Sequence, residues 1–138
     1  YVATQAASLT PILCVGETLA QREQGETLAV VKAQVQAVID AAGAGSFANA
    51  VIAYEPVWAI GTGLTASPAQ AQAVHQAIRE HVAQVAPSEA ASLKILYGGS
   101  VTATSAAELF AQADIDGGLV GGASLQAESF LAIGQAAQ

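Results

Sequence analysis

One glutamate in this 138-residue chain stands where a carboxylate can do acid–base chemistry. Glu55 follows the short apolar segment Ala50–Tyr54 and is followed at once by Pro56. In parallel α/β folds, ligands bind beyond the carboxyl ends of the strands, and a carboxylate partly removed from water there can act as a base near neutral pH. An isolated glutamate at a strand end is more often a solvated side chain, so its neighbours decide the interpretation. They favour Glu55 as a candidate catalytic base.

The eight residues after Glu55 have the composition of a loop that closes over a ligand. They are Pro56, Val57, Trp58, Ala59, Ile60, Gly61, Thr62 and Gly63. A small apolar tip excludes water, and glycines permit the backbone change that a moving loop needs. The alternative is an ordinary strand-to-helix loop whose glycines only serve turns. The sequence predicts a lid loop whose backbone N–H groups can reach a phosphate.

Two glycine pairs follow two later apolar segments. One is Gly98–Gly99 before Ser100, and the other is Gly121–Gly122 before a short predicted helix. Glycines let backbone N–H groups approach an oxyanion, and a helix N-terminus adds its dipole. Either pair alone is weak evidence, but both fall at consecutive strand ends. Together with Glu55 and the lid, they predict a phosphate-binding site.

Apolar segments alternate with helical patterns along the whole chain. We predict strands at Leu9–Val15, Ala50–Tyr54, Leu93–Tyr97 and Ile115–Val120, and helices at Thr27–Ala42, Pro68–Val85, Ser105–Ala111 and about Leu125–Ala136. Short apolar runs without period-two alternation are typical of parallel strands buried on both faces. No linker divides the chain, so residues 1–138 form one α/β domain of four parallel strand–helix units.

Composition excludes several classes of function. The chain is 53% hydrophobic and 11% charged, with a net charge of −7. Four Lys and Arg residues make no basic surface for nucleic acid, and no apolar run reaches the roughly 20 residues that a membrane helix needs. The start of the sequence lacks the basic region of a signal peptide. A single Cys excludes an intramolecular disulfide and fits a reducing compartment, so we expect a cytoplasmic protein.

Four segments carry a resemblance to the C-terminal half of triosephosphate isomerase, of a bacterial type. PILCVGET (11–18) resembles the family's fifth strand with its loop, and AYEPVWAIGTG (53–63) resembles the sixth strand with the lid. YGGSV (97–101) resembles the seventh strand with its loop, and DGGLVGGASL (116–125) resembles the eighth strand with its phosphate helix. The four motifs occur in the family's order and cover nearly the whole chain.

The resemblance implies roles for matching residues. Glu55 would move a proton between the two carbons of a triose phosphate, in the interconversion of glyceraldehyde 3-phosphate and dihydroxyacetone phosphate of glycolysis and gluconeogenesis. The backbone N–H groups of four residues would bind the substrate phosphate: Gly61, Ser100, Gly121 and Gly122. Arg79 and Asp116 match a structural ion pair of the family. The family implies neither a cofactor nor a metal.

The sequence departs from the family's catalytic set. The family's Asn-x-Lys motif and its electrophilic His belong to an N-terminal half that this sequence does not contain. His75 and His81 fall on a helix outside the barrel, and we interpret both as surface or helix-packing residues. Lys32 and Lys94 are too far from the site to replace the missing cation, and Leu64 stands where the lid hinge usually has Lys. We therefore expect the chain alone to be inactive or nearly so.

Four strand–helix units would make half of a (β/α)₈ TIM barrel. An open half-barrel leaves two unpaired strand edges and an apolar inner face exposed. We expect self-association, as a homodimer, or a complementary N-terminal half to cover that face. The alternative functions are a non-enzymatic phosphate-binding module, with triose phosphate or phosphate as its ligand, and a self-assembling structural unit.

Overall fold

The chain forms one parallel sheet with helices packed on it. The computed structural model describes residues 1–62 and 64–137, so the predicted lid residue Gly63 lies outside the described residues. The strands are β1 (Ile12–Val15), β2 (Val51–Tyr54) and β3 (Lys94–Tyr97), and β2 lies in the middle. Both pairings are parallel, and Val15 is in register with Tyr54 and Tyr97. Every strand therefore presents its carboxyl end at the same edge of the sheet.

The predicted fourth strand at 115–120 is wrong as a regular element. Within the described residues, this segment joins β3 (Lys94–Tyr97) through an isolated parallel bridge between Tyr97 and Gly118. Three backbone hydrogen bonds accompany the bridge: Asp116 N–H to the Ile95 carbonyl at 3.0 Å, Tyr97 N–H to the Gly117 carbonyl at 2.9 Å, and Leu119 N–H to the Tyr97 carbonyl at 2.9 Å. Gly117 has a φ of +151°, which departs from strand geometry. The Asp116 carboxylate accepts from the Ile95 backbone N–H at 2.9 Å, so a side chain takes the place of a backbone acceptor. The described residues therefore contain three regular strands instead of four, and the segment at 115–120 continues the sheet irregularly.

The four predicted helices exist: Thr27–Ala42 has the predicted ends, and the ends of the other three differ from the prediction by at most two residues. The helices are α1 (Val2–Ala6), α2 (Leu19–Glu23), α3 (Thr27–Ala42), α4 (Pro68–Ala83), α5 (Pro87–Ser92), α6 (Ala106–Phe110) and α7 (Ala127–Gln135), with 3₁₀ helices at Ala44–Asn49, Val57–Ala59 and Gly122–Leu125. The sequence did not indicate α1, α2 and α5, which have five or six residues each. Ser67 caps α4 in a capping box with Gln70.

The core lies between one face of the sheet and helices α3 and α4. The buried residues of α4 include Ala71, Val74, Ile78 and Val82, whose spacing places them on one helix face. They pack in the same cluster as buried side chains of the strands, such as Ile52. In the described part of the chain, the longest helices have 16 residues, and none has the length and apolarity to cross a bilayer.

The opposite face of the sheet is partly open. Ile12 is 51% exposed and Cys14 is exposed, whereas Val15 on the helix side is 3% exposed. β1 pairs with β2 on one side only in the described residues, so its other edge is unpaired. An open apolar face and a free edge agree with a barrel fragment. Self-association to cover them stays a prediction.

Candidate functional site

A cavity of about 540 Å³ opens at the carboxyl ends of the strands. The residues that line it come from the end of β2, the lid, the loop after β3 and the segment after residue 118. Its lining includes all five residues predicted for catalysis and phosphate binding: Glu55, Gly61, Ser100, Gly121 and Gly122. The lid residues Ala59 and Ile60 also line it. The structure thus brings the separate sequence motifs together around one space.

Backbone contacts fix the position of Glu55. Its N–H donates to the Val15 carbonyl at 2.7 Å, which extends the pairing of β1 and β2 by one residue. A Cβ at Gly98 would overlap Cγ of Glu55, and a Cβ at Gly16 would overlap the Glu55 carbonyl oxygen. Glycine is therefore needed on both neighbouring strand ends to let Glu55 lie where it does. The side chain is half-buried and faces the cavity.

Cys14 is a neighbour of Glu55 that the sequence did not single out. Partial burial, and then the hydrogen bond and negative charge of Glu55, raise the pKa of the Cys14 thiol to about 11. The thiol is therefore protonated at neutral pH and is a weak nucleophile. Its position on the same sheet face as Glu55, one strand away, is visible only once the register of β1 and β2 is known.

The predicted phosphate-binding residues line the cavity. Among the hydrogen bonds of the described residues, none uses the N–H group of Gly61, Ser100 or Gly121 as donor. Gly61 has a φ of +67°, a conformation that favours glycine. N–H groups without internal partners beside a concave space can bind an anion, so phosphate binding by these residues stays a prediction.

A buried carboxylate that the sequence analysis did not single out holds the N-terminal end of the lid. Glu17 follows β1, is fully buried, and accepts from the Tyr54 hydroxyl at 3.1 Å and from Trp58 Nε1 at 3.0 Å. Arg22 donates to the same carboxylate at 3.1 Å and lies 4.8 Å from the centre of the Trp58 ring. The Thr27 hydroxyl also donates to the Glu17 carboxylate, at 3.4 Å. The only Trp of the chain is thus fixed by charge-assisted hydrogen bonds and a cation–π contact.

In the described residues, burial of Ala66 in the core and one hydrogen bond to Tyr97 hold the other end of the lid. The Ala66 N–H donates to the Tyr97 hydroxyl at 3.3 Å. Burial is the main cause that raises the pKa of Tyr97, so the phenol remains protonated. A Cβ at Gly99 would overlap this hydroxyl, which explains a glycine at that position. Between the two ends, Thr62 Oγ1 donates to the Trp58 carbonyl at 2.6 Å and folds the tip.

The remaining charged and titratable residues lie away from the cavity. Arg79 pairs with Asp116 at 2.8 Å, as the resemblance implied, and also with Asp114 at 2.7 Å. Lys94 contacts Asp116 at 3.2 Å, at the end of β3 opposite the cavity. His81 Nε2 contacts Gln36 on α3 at 2.9 Å. Among the described side chains, no group of three or more His, Cys, Asp or Glu could hold a metal ion.

The family model of triosephosphate isomerase matches residues 1–137. The triosephosphate isomerase of Alcanivorax borkumensis is 62% identical over 138 residues, which are 100% of this chain and 56% of that protein. Those of Pseudomonas entomophila and Ectopseudomonas mendocina are 64% and 65% identical over 137 residues, which are 99% of this chain and 55% of each relative. The chain spans about half the length of the curated relatives it matches.

Proposed function

Because the chain belongs to the triosephosphate isomerase family, we propose that it supplies the base, the lid and the phosphate-binding backbone for the interconversion of glyceraldehyde 3-phosphate and dihydroxyacetone phosphate. The observation that carries the proposal is the single cavity lined by Glu55, the lid tip and the two glycine loops. The relatives named triosephosphate isomerase at 62–65% identity support it.

In this proposal Glu55 takes a proton from one carbon of the substrate and returns it to the neighbouring carbon. At the same time the hydroxyl proton on the first carbon must pass to the carbonyl oxygen of the second, which needs a donor that these 138 residues do not supply. The phosphate lies against the N–H groups of Gly61, Ser100, Gly121 and Gly122, which fixes the substrate so that the carboxylate reaches both carbons. The lid closes over the cavity and excludes water from the reacting atoms. No cofactor is needed, because the proton is returned to the same molecule.

The chain alone should be deficient in this reaction. Stabilising the negative oxygen that forms during proton transfer needs a donor, and losing one such donor costs about 10²–10³-fold in rate. The family's Lys and electrophilic His lie outside these 138 residues, and Lys94 and His75 are held elsewhere by Asp116 and the core. We propose that a complementary N-terminal half, or a second copy of this chain, covers the open face near Ile12.

The experiment is an isomerase assay of the purified chain, alone and mixed with the N-terminal half of a relative such as the Alcanivorax borkumensis enzyme. We expect at most trace activity alone and a large gain in the mixture, abolished by Glu55→Gln. A mixture that forms a complex yet has no activity, or activity that Glu55→Gln leaves unchanged, would refute the proposal.

A second candidate function is a non-enzymatic self-assembling half-barrel or phosphate-binding module. The open face with Ile12 51% exposed and the unpaired edge of β1 favour assembly, since both are liabilities for a monomer. Sedimentation across a wide concentration range tests this candidate. A monomer at every concentration excludes assembly, and calorimetry with inorganic phosphate then tests binding.

A further inference from the structure

Three buried rings lie beneath the lid and contact one another. Tyr54 and Tyr97 end neighbouring strands, and His75 reaches them from α4; all three are 0% exposed. The His75 and Tyr54 ring centres are 5.8 Å apart with the planes at 85°, an edge-to-face contact. The His75 and Tyr97 centres are 6.4 Å apart, and the two tyrosines are 6.3 Å apart. These distances are those of aromatic pairs in contact.

The two tyrosines hold opposite ends of the lid. The Tyr54 hydroxyl bonds to the Glu17 carboxylate, which accepts from Trp58 at the N-terminal end. The Tyr97 hydroxyl accepts from the Ala66 N–H at the C-terminal end. His75 is therefore a side chain from the helix layer that touches the anchors of both ends.

The hydrogen bond of His75 to Asp114 determines which ring nitrogen carries the proton. Nδ1 lies 3.1 Å from the Asp114 carbonyl oxygen, which can only accept, so Nδ1 carries the proton and Nε2 does not. Within the described residues, no hydrogen-bond partner reaches Nε2. Burial lowers the pKa of His75 to about 4, and the nearest charges are those of Arg79, Asp114 and Asp116. The ring is thus neutral near neutral pH, and its packing against Tyr54 and Tyr97 comes from its flat shape.

We propose that His75 is a positioning residue that orients both anchor tyrosines and so couples the two ends of the lid. This inference rests on the proposed function, in which the loop after Glu55 is the lid of the active site. Its test needs no substrate, however, so a chain without isomerase activity could still support it.

The test compares substitutions that separate the ring of His75 from its hydrogen bond. His75→Phe keeps a flat ring and loses the donor to Asp114, whereas His75→Asn keeps an N–H near Nδ1 and loses the ring. His75→Leu fills the space without a flat ring, and it decides the question if the Asn variant does not fold. His81→Asn, on the same helix, is the matched control.

Two local signals report the two ends of the lid. Emission of Trp58, the only Trp, reports the N-terminal end, and amide hydrogen exchange of Ala66 reports the C-terminal end. Exchange of the Val35 amide in α3 reports the stability of the core as a whole.

We expect His75→Asn and His75→Leu to shift Trp58 emission to longer wavelength and to speed Ala66 exchange at least about tenfold more than that of Val35. His75→Phe and His81→Asn should leave both signals close to those of the unchanged chain. The proposal is overturned if only one end responds, if Ala66 and Val35 accelerate equally, or if the Phe variant behaves like the Leu variant.

Discussion

The two ends of the lid are held by different physical means. At the N-terminal end, one fully buried carboxylate, that of Glu17, accepts from Trp58, Tyr54, Arg22 and Thr27. At the C-terminal end, one neutral hydrogen bond of 3.3 Å joins Ala66 to Tyr97. Charge-assisted hydrogen bonds are roughly twice as strong as neutral ones. The C-terminal end should therefore release first, with the Glu17 cluster as the fixed end.

The largest expected effect comes from breaking the stronger end. Glu17→Ala leaves the buried Tyr54 hydroxyl and Trp58 N–H without an acceptor, and we expect a loss of about 3–5 kcal/mol in the free energy of unfolding. Urea denaturation followed by circular dichroism measures it. Glu17→Gln keeps an acceptor and should lose less. A loss under about 1 kcal/mol for the Ala variant would show that the two ends are not so unequal.

Acid should weaken both ends together through His75. The unfolded chain binds a proton at His75 near pH 6.5 and the folded chain only near pH 4, so the unfolded state holds more protons between these values. The free energy of unfolding should therefore fall as the pH drops from 6.5 to 4, by at most about 1.4 kcal/mol per pH unit and about 3 kcal/mol in all. Urea midpoints between pH 7 and 4.5 measure it.

A His81→Gln background isolates the contribution of His75 to that pH dependence. Burial, and then Lys32, lower the pKa of His81 as well, so the titration is made in a His81→Gln chain. His75→Phe in that background should remove most of the slope. An unchanged slope would assign it to carboxylates instead.

Removing the Tyr97 hydroxyl, which anchors the weaker end, should lower the free energy of unfolding less, and its effect should be local. Tyr97→Phe keeps the ring against His75 but leaves the buried Ala66 N–H unpaired, with an expected loss of about 1–2 kcal/mol. Ala66 exchange should accelerate while Trp58 emission stays constant, because the ring contacts are intact. A shift in Trp58 emission would mean that the hydroxyl itself links the two ends.

The smallest effect is expected at the lid's own hinge. Leu64 is 51% exposed, so Leu64→Lys, which restores the residue usual in the family, should change the free energy of unfolding by less than about 0.5 kcal/mol. Thermal denaturation checks it, with Thr65→Lys as the neighbouring control. A larger change would reveal packing of Leu64 that its exposure does not indicate.

The parts of the site that the sequence predicts are those whose chemistry is contiguous in the chain. Glu55 with its lid, and each glycine pair, can be recognised within a few consecutive residues. The Glu17 cluster does not, because its contact with Trp58 spans 41 residues and depends on the end of β1 meeting the end of β2. His75 was expected to pack or to face solvent, and only the fold places it against two tyrosines.

The wrong prediction of a regular fourth strand has a similar cause. Apolar residues at 115–120 favour a strand by composition, and backbone hydrogen bonds do join this segment to β3. Gly117 at positive φ and the Asp116 side chain, which accepts from the Ile95 N–H, nevertheless interrupt the regular strand. A pattern of hydrophobicity does not record when a carboxylate acts as a backbone acceptor. Secondary structure is therefore well predicted where side chains only pack, and poorly where a side chain also hydrogen-bonds to the backbone.

The single thiol has a practical consequence for work with this protein. Cys14 is exposed beside Glu55, and its pKa of about 11 keeps it in the unreactive form. Stocks should tolerate storage in air without a reducing agent, because disulfide formation between copies needs the thiolate. A maleimide or iodoacetamide dye would couple only under alkaline conditions, and the attached dye would then sit one strand from the carboxylate.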